Sequence, residues 1–182
     1  MMIPTTVQTE NLDSRMENAL KRAVQVVRDK HMLVGFAESC TGGLLASSLT
    51  RQSGVSDVFW GSVVCYANES KSAFLGVQES VFKEFGAVSS ECAKQMAEGL
   101  AAQIKKTTSK DVVTVSVTGI AGPSGGTPTK PVGTVFIAVA GTKLATQIFH
   151  HEFVTKHKEL TREEIQQAAA VAALEHLSEQ FT

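Results

Sequence analysis

The stretch Ala37-Glu38-Ser39-Cys40-Thr41-Gly42-Gly43 constrains this chain more than any other. It follows the apolar run Met32-Leu33-Val34-Gly35-Phe36 and precedes Leu44, Leu45, Ser48 and Leu49, which fall at helical spacing. The order reads strand, tight turn, helix. Hydroxyl side chains and two glycines stand where the strand ends, beside free backbone N–H groups and the positive end of a helix dipole. Such a turn suits a nucleophile, a phosphate ligand or a plain helix cap.

Alternation of helix and strand surrounds this turn. Leu12, Met16, Ala19, Leu20, Ala23, Val24 and Val27 predict a helix over about 11–30. A strand over about 32–37 leads into the turn, and a helix over about 42–52 stops near Ser53-Gly54. Val58 to Tyr66, rich in branched and aromatic residues, reads as a strand. Asn68 then reads as the cap of a short helix ending near Leu75, with Lys71 in its first turn. A cation there opposes the helix dipole, so the lysine reads as placed for chemistry. Further helices are predicted over 78–85 and after a Ser89 cap. Strands are predicted over 111–118, 132–140 and 144–154, the last two joined at Gly141-Thr142. A helix capped by Thr161, with Glu164 completing a capping box, closes the chain. Residues 119–131 form a long Gly/Pro loop, a length that usually signals function. The pattern predicts an α/β three-layer α/β/α sandwich with a mixed, mostly parallel sheet. Ligands of such sheets sit beyond the strands' carboxyl ends, where Ser39–Gly43, Tyr66–Lys71 and Thr118–Gly126 would gather.

With 182 residues the chain is read as a polar leader, 1–10, and a single domain, 11–182. The leader lacks the pattern of a secretory signal. No apolar run reaches the ~18 residues of a membrane span. A formal net charge of −1 with no basic stripe argues against nucleic acid as a partner. Cys40, Cys65 and Cys92 are odd in number and widely spaced, which argues against a disulfide framework and fits a reducing cytoplasm. His31, His150, His151, His157 and His176 form no metal-ligand spacing, and none lies near a strand-to-helix turn to serve a Ser-His-Asp triad.

A Ser39 nucleophile therefore needs another base. Lys71, after the next strand, is the candidate, with Tyr66, the single tyrosine, to orient it or pass a proton. Each has an ordinary alternative: a capping serine, a solvated lysine, a strand-end aromatic. It is their combination that favours chemistry. Cys40 has the opposite parity in the turn and reads as a buried structural cysteine. The loop from Gly119 through Gly122 to Gly126 offers backbone N–H groups to an anion, or is simply exposed. Arg162 is a candidate phosphate clamp, or an exposed helix arginine.

Five stretches stand together in a known order and spacing: Ala37–Gly43; Tyr66-x-Asn68-Glu69-x-Lys71 with Leu75-Gly76-Val77; Gly86-Ala87-Val88-Ser89; Thr118-Gly119-Ile120-Ala121-Gly122-Pro123; and Lys130-Pro131-Val132-Gly133-Thr134-Val135. Over about Leu12 to Leu177 the chain resembles the CinA C-terminal domain family, nicotinamide-nucleotide amidases (NMN deamidases). The resemblance implies a CinA-like fold and hydrolysis of nicotinamide mononucleotide to nicotinate mononucleotide and ammonia, in pyridine nucleotide salvage, with no metal or organic cofactor. It places the nucleophile on Ser39, its partners on Tyr66 and Lys71, and a further site hydroxyl on Thr118. On this expectation the N–H groups of Thr41, Gly42 and Gly43 hold the oxyanion. Arg162 or the Gly119–Gly126 loop holds the phosphate. The family's Gly-Asp-Arg segment falls on Leu160-Thr161-Arg162, which keeps the arginine alone. Many members carry a further N-terminal domain resembling molybdopterin-binding proteins, and this chain looks like the stand-alone form. A homodimer is expected, because sites of small α/β domains are often completed by a neighbouring copy. Two rival readings remain: a non-catalytic pyridine-nucleotide or competence-associated binding module, and an amidase for another small amide.

Overall fold

In the computed structural model the described residues are 11–153 and 160–181. The leader over 1–10, Val154 and His157 lie outside them. Eleven elements follow one another: α1 Leu12–Asp29, β1 Leu33–Glu38, α2 Leu44–Thr50, β2 Phe59–Val64, α3 Asn68–Leu75, α4 Glu79–Glu84, α5 Ser90–Lys105, β3 Val112–Gly119, β4 Thr134–Gly141, β5 Leu144–Glu152 and α6 Arg162–Glu179. The sheet runs β2-β1-β3-β4-β5. The β1–β2 and β1–β3 pairs are parallel, and the β3–β4 and β4–β5 pairs antiparallel. Four strands therefore share one direction and β4 alone opposes them. One face carries α1, α2 and α6, the other α3, α4 and α5, the three-layer sandwich expected.

Strand β3 shows how the layers are matched. Val113, Val115 and Val117 face the α1/α6 core. Thr114, Ser116 and Thr118 are buried on the opposite face, as the period-2 alternation of a strand requires. Their hydroxyls donate to the carbonyls of Ala97 (2.8 Å), Ala93 (2.6 Å) and Ala87 (2.8 Å). Small Ala93 and Ala97 let α5 come close enough for the first two of these bonds, and Ala87 lies in the loop before it. Helix α5 in turn grips α3: a Cβ on Gly99 would lie 1.8 Å from the Leu75 carbonyl oxygen. Helix α6 is buried from Ala168 to Leu174 without a break, so it is a core helix rather than an amphipathic cover. Thr161 and Glu164 form the expected capping box.

Two of the boundary differences have a local cause. Helix α2 begins at Leu44, because Gly42 and Gly43 adopt φ of 63° and 100°, left-handed values that exclude them from a right-handed helix. The cap of α3 is Ala67, with Asn68 the first helical residue and no side-chain cap.

The switch in connectivity locates the site. The chain leaves β1 for β2 on one side and leaves β3 for β4 on the other, so the carboxyl ends of adjacent β1 and β3 form the crevice where open α/β sheets bind ligands.

At the far edge, His151 Nε2 lies 2.8 Å from His176 Nε2, whose Nδ1 lies 2.8 Å from Glu179. Burial, then the neighbouring His176 and His150, depress the His151 pKa to about 4. The folded state thus holds a neutral ring that the unfolded chain protonates below about pH 6.5. Stability is full above that pH and is lost as pH falls towards 4. Urea unfolding at pH 4.5 should show about 2–3 kcal/mol less stability than at pH 7, and equal stability at both would contradict this.

Candidate active site

Ser39 immediately follows β1, and its N–H donates to the Val117 carbonyl at 3.0 Å, so β3 fixes the residue from the side. Its side chain turns towards the α3 layer. There Lys71, only 1% exposed, places Nζ 3.0 Å from Ser39 Oγ. Nζ also donates to the carbonyls of Cys65 at 2.8 Å and Tyr66 at 2.9 Å. A first-turn lysine is unfavourable to the helix dipole, and these two carbonyls, from the two residues after β2, supply the compensating acceptors. In the neutral amine both N–H bonds are taken by the carbonyls. The lone pair is then left for the Ser39 hydroxyl.

The orienting group differs from expectation. It is the Tyr66 carbonyl, not its phenol, that touches Lys71. The Tyr66 side chain is 64% exposed, and its hydroxyl accepts from Arg162 Nη2 at 3.2 Å. Arg162 Nη1 donates to the Gly122 carbonyl at 2.7 Å. Arg162 therefore ties the glycine loop to Tyr66, with two nitrogens engaged inside the protein, rather than standing free as a phosphate clamp.

The turn after Ser39 also corrects an expectation. Glu38, fully buried, carries its carboxylate to the start of α2. One oxygen accepts from the N–H groups of Gly43 (3.1 Å) and Leu45 (3.0 Å). The other accepts from Ala46 N–H (3.0 Å) and the Ser62 hydroxyl (3.0 Å). Gly42 N–H donates to Ser39 O and Leu44 N–H to Thr41 O. The N–H groups of Gly42 and Gly43 are thus spent on the fold. Among the described residues no backbone carbonyl accepts from the N–H groups of Cys40 and Thr41. Thr41 Oγ1 is likewise buried with no partner.

Cys40 points into the α1/α6 core. Burial pushes its thiol pKa up to about 12, so it is an inert thiol rather than a competing nucleophile. Cys65 and Cys92 are also free, buried and shifted up by burial.

Thr118, 1% exposed, spends its hydroxyl on Ala87 O. Gly119 ends β3 opposite Val135, where a Cβ would meet Val135 Cγ2 at 2.6 Å. Both residues build the crevice wall. Lys130 joins them: its Nζ donates to the carbonyls of Phe85 and Val88 at 2.7 Å each, strapping the Gly86–Ser89 loop to the glycine loop. Sequence reasoning gave Glu38 and Lys130 no role. A glutamate closing an apolar strand just before a helix start was the available signal for the first.

The comparisons agree with this architecture. A family model described as "CinA C-terminal domain" matches residues 16–181. The chain is 46% identical over 167 residues to a CinA-like protein of Thermotoga maritima, covering 91% of this chain and 37% of that protein. It is 42% identical over 153 residues to a CinA-like protein of Nostoc punctiforme, covering 84% and 35%. It thus spans little more than a third of these curated relatives. Among solved structures, the competence/damage inducible protein CihA of Agrobacterium tumefaciens superposes with a TM-score of 0.83 at 32% identity, covering 99% of this chain and 100% of that one. A CinA superfamily protein of Escherichia coli gives 0.80 at 26%, covering 96% and 95%. On the family match over 16–181 and these likenesses, the chain belongs to the CinA C-terminal domain family.

Proposed function

We propose that this domain is an amidase that hydrolyses the carboxamide of nicotinamide mononucleotide, giving nicotinate mononucleotide and ammonia. The observation that carries the reading is the 3.0 Å contact between Lys71 Nζ and Ser39 Oγ, with the other Lys71 acceptors being two fixed carbonyls. A serine paired with a lysine held in one orientation is an activated nucleophile. Neutral Lys71 takes the Ser39 proton as Oγ attacks the amide carbon. The developing oxyanion is held by the N–H groups of Cys40 and Thr41. Lys71 then gives its proton to the leaving nitrogen, and ammonia departs from an ester on Ser39. Water, deprotonated by the same amine, cleaves that ester and restores the hydroxyl.

Arg162 and Tyr66 form the outer rim, and Gly122 is drawn to them. The nucleotide phosphate is assigned to the exposed Pro123–Gly126 stretch beside them. Incubation with nicotinamide mononucleotide tests the reading. Equimolar ammonia and nicotinate mononucleotide are expected. Free nicotinamide as the product, or no turnover, would contradict it.

A further inference from the structure

We propose that a second copy of this chain docks on the open edge of β2, its own β2 running antiparallel to the first so that the two sheets become one. β1 occupies one side of β2 and no strand lies on the other. Cys65 N–H donates to the Glu38 carbonyl at 2.8 Å. Alternate residues therefore face β1, and the N–H and C=O groups of Ser62 and Val64 point away from the sheet. Such an edge is a template for another strand, and proteins usually guard it with charges or proline. Phe59-Trp60-Gly61-Ser62-Val63-Val64 holds neither.

The side chains mark the same edge. Of the five large apolar residues that stand exposed among the described residues, Trp60 and Val64 belong to β2, Tyr66 follows it, and Phe74 lies on α3. Trp60 Nε1 donates to Thr107 Oγ1 at 3.0 Å, and the Phe74 carbonyl accepts from Gln103 Nε2 at 3.0 Å. Gln103 and Thr107 are one turn apart, so both aromatics border the end of α5. The opposite edge, β5, carries Thr146, Gln147, His150 and Glu152 and none of these exposed side chains. Charge favours a second copy as the occupant. Lys106 precedes Thr107, and Lys110 shares a surface pocket with Asp57 and Val58, so cations flank the start of β2. Asp57 there is already paired with Arg28. Glu69 stands exposed beyond the other end of the strand. A two-fold axis at the edge sets each end of β2 against the opposite end of its partner, cation to carboxylate, and closes at two copies. The pairing also braces Cys65 and Tyr66, whose carbonyls hold Lys71 Nζ.

Sedimentation equilibrium at micromolar concentration tests this, together with hydrogen exchange of the β2 peptide. The unmutated chain should sediment at twice its 19.4 kDa, and its β2 amides should exchange more slowly as concentration rises through the dimer range. Val64→Lys and Trp60→Lys each add a charge to both copies and should raise the dissociation constant about 100-fold, about tenfold per copy. Phe85→Lys, an exposed apolar residue away from β2, should leave the dimer intact. Melting curves show which variants are folded, and the exchange data on the unmutated chain stand without them. A chain that stays at 19.4 kDa, a dimer that survives both β2 substitutions or is broken by Phe85→Lys, or β2 amides that exchange equally at every concentration would overturn the pairing. Neither readout depends on turnover, so this inference and the amidase reading fail separately.

Discussion

Replacing Lys71 by methionine is expected to lower ammonia release from nicotinamide mononucleotide by about 10³-fold in kcat, within the range that a positioned general base supplies. Methionine matches the lysine stem in shape but has no lone pair on nitrogen. The same change should not unfold the protein. Lys71 is 1% exposed, methionine fills the space of its stem, and two carbonyls lose a donor. A melting temperature within a few degrees of the parent, together with the lost rate, would mark a residue kept for chemistry at no benefit to stability. A Lys71→Met chain turning over at the parental rate would remove lysine from the mechanism.

Glu38→Ala is expected to fail in the opposite way, through the fold. Its carboxylate is the acceptor for three backbone N–H groups and one hydroxyl, all at 3.0–3.1 Å. Alanine strands those donors in a buried place, for a loss of about 4 kcal/mol. In a domain of this size that is a fall of roughly 10 °C in melting temperature. Activity should fall with it, because the Gly42-Gly43 turn that presents the Cys40 and Thr41 N–H groups loses its anchor. Glu38→Gln keeps one acceptor oxygen but turns an amide NH₂ towards N–H donors, so about half the loss is expected. Thermal melts of the two variants check both figures, and an unshifted Glu38→Ala melt would contradict the anchoring role.

The order of elements was legible because it rests on local patterns. Period-2 and period-3.6 apolar spacing and the Thr161-Glu164 capping box appear in place, and the β4–β5 turn falls one residue later than expected, on Thr142-Lys143. Ser39 and Lys71 were legible for a related reason: each sits at the first turn after a strand, and parallel strands bring such turns to one edge. The hydrogen-bond partners were not legible, since they depend on register and on which oxygen of a residue points inward. Tyr66 shows this. Its place beside Lys71 was foreseen, yet its carbonyl meets the lysine and its phenol meets Arg162. Glu38 shows it again. A run of small residues before a helix reads as an open anion site, and only the structure reveals that the protein's own carboxylate already fills it. Arg162, read as reaching for phosphate, is held by Gly122 across 40 residues of sequence.

In the proposed reaction Ser39, activated by Lys71, attacks an amide. The measurement that meets it most directly is the rate of ammonia release from nicotinamide mononucleotide by the unmutated chain and by Ser39→Ala at equal concentration, with both shown to be folded by their melts. Steady release is expected from the first and release at the reagent background from the second. Release at the same rate from both, or from neither, would contradict it.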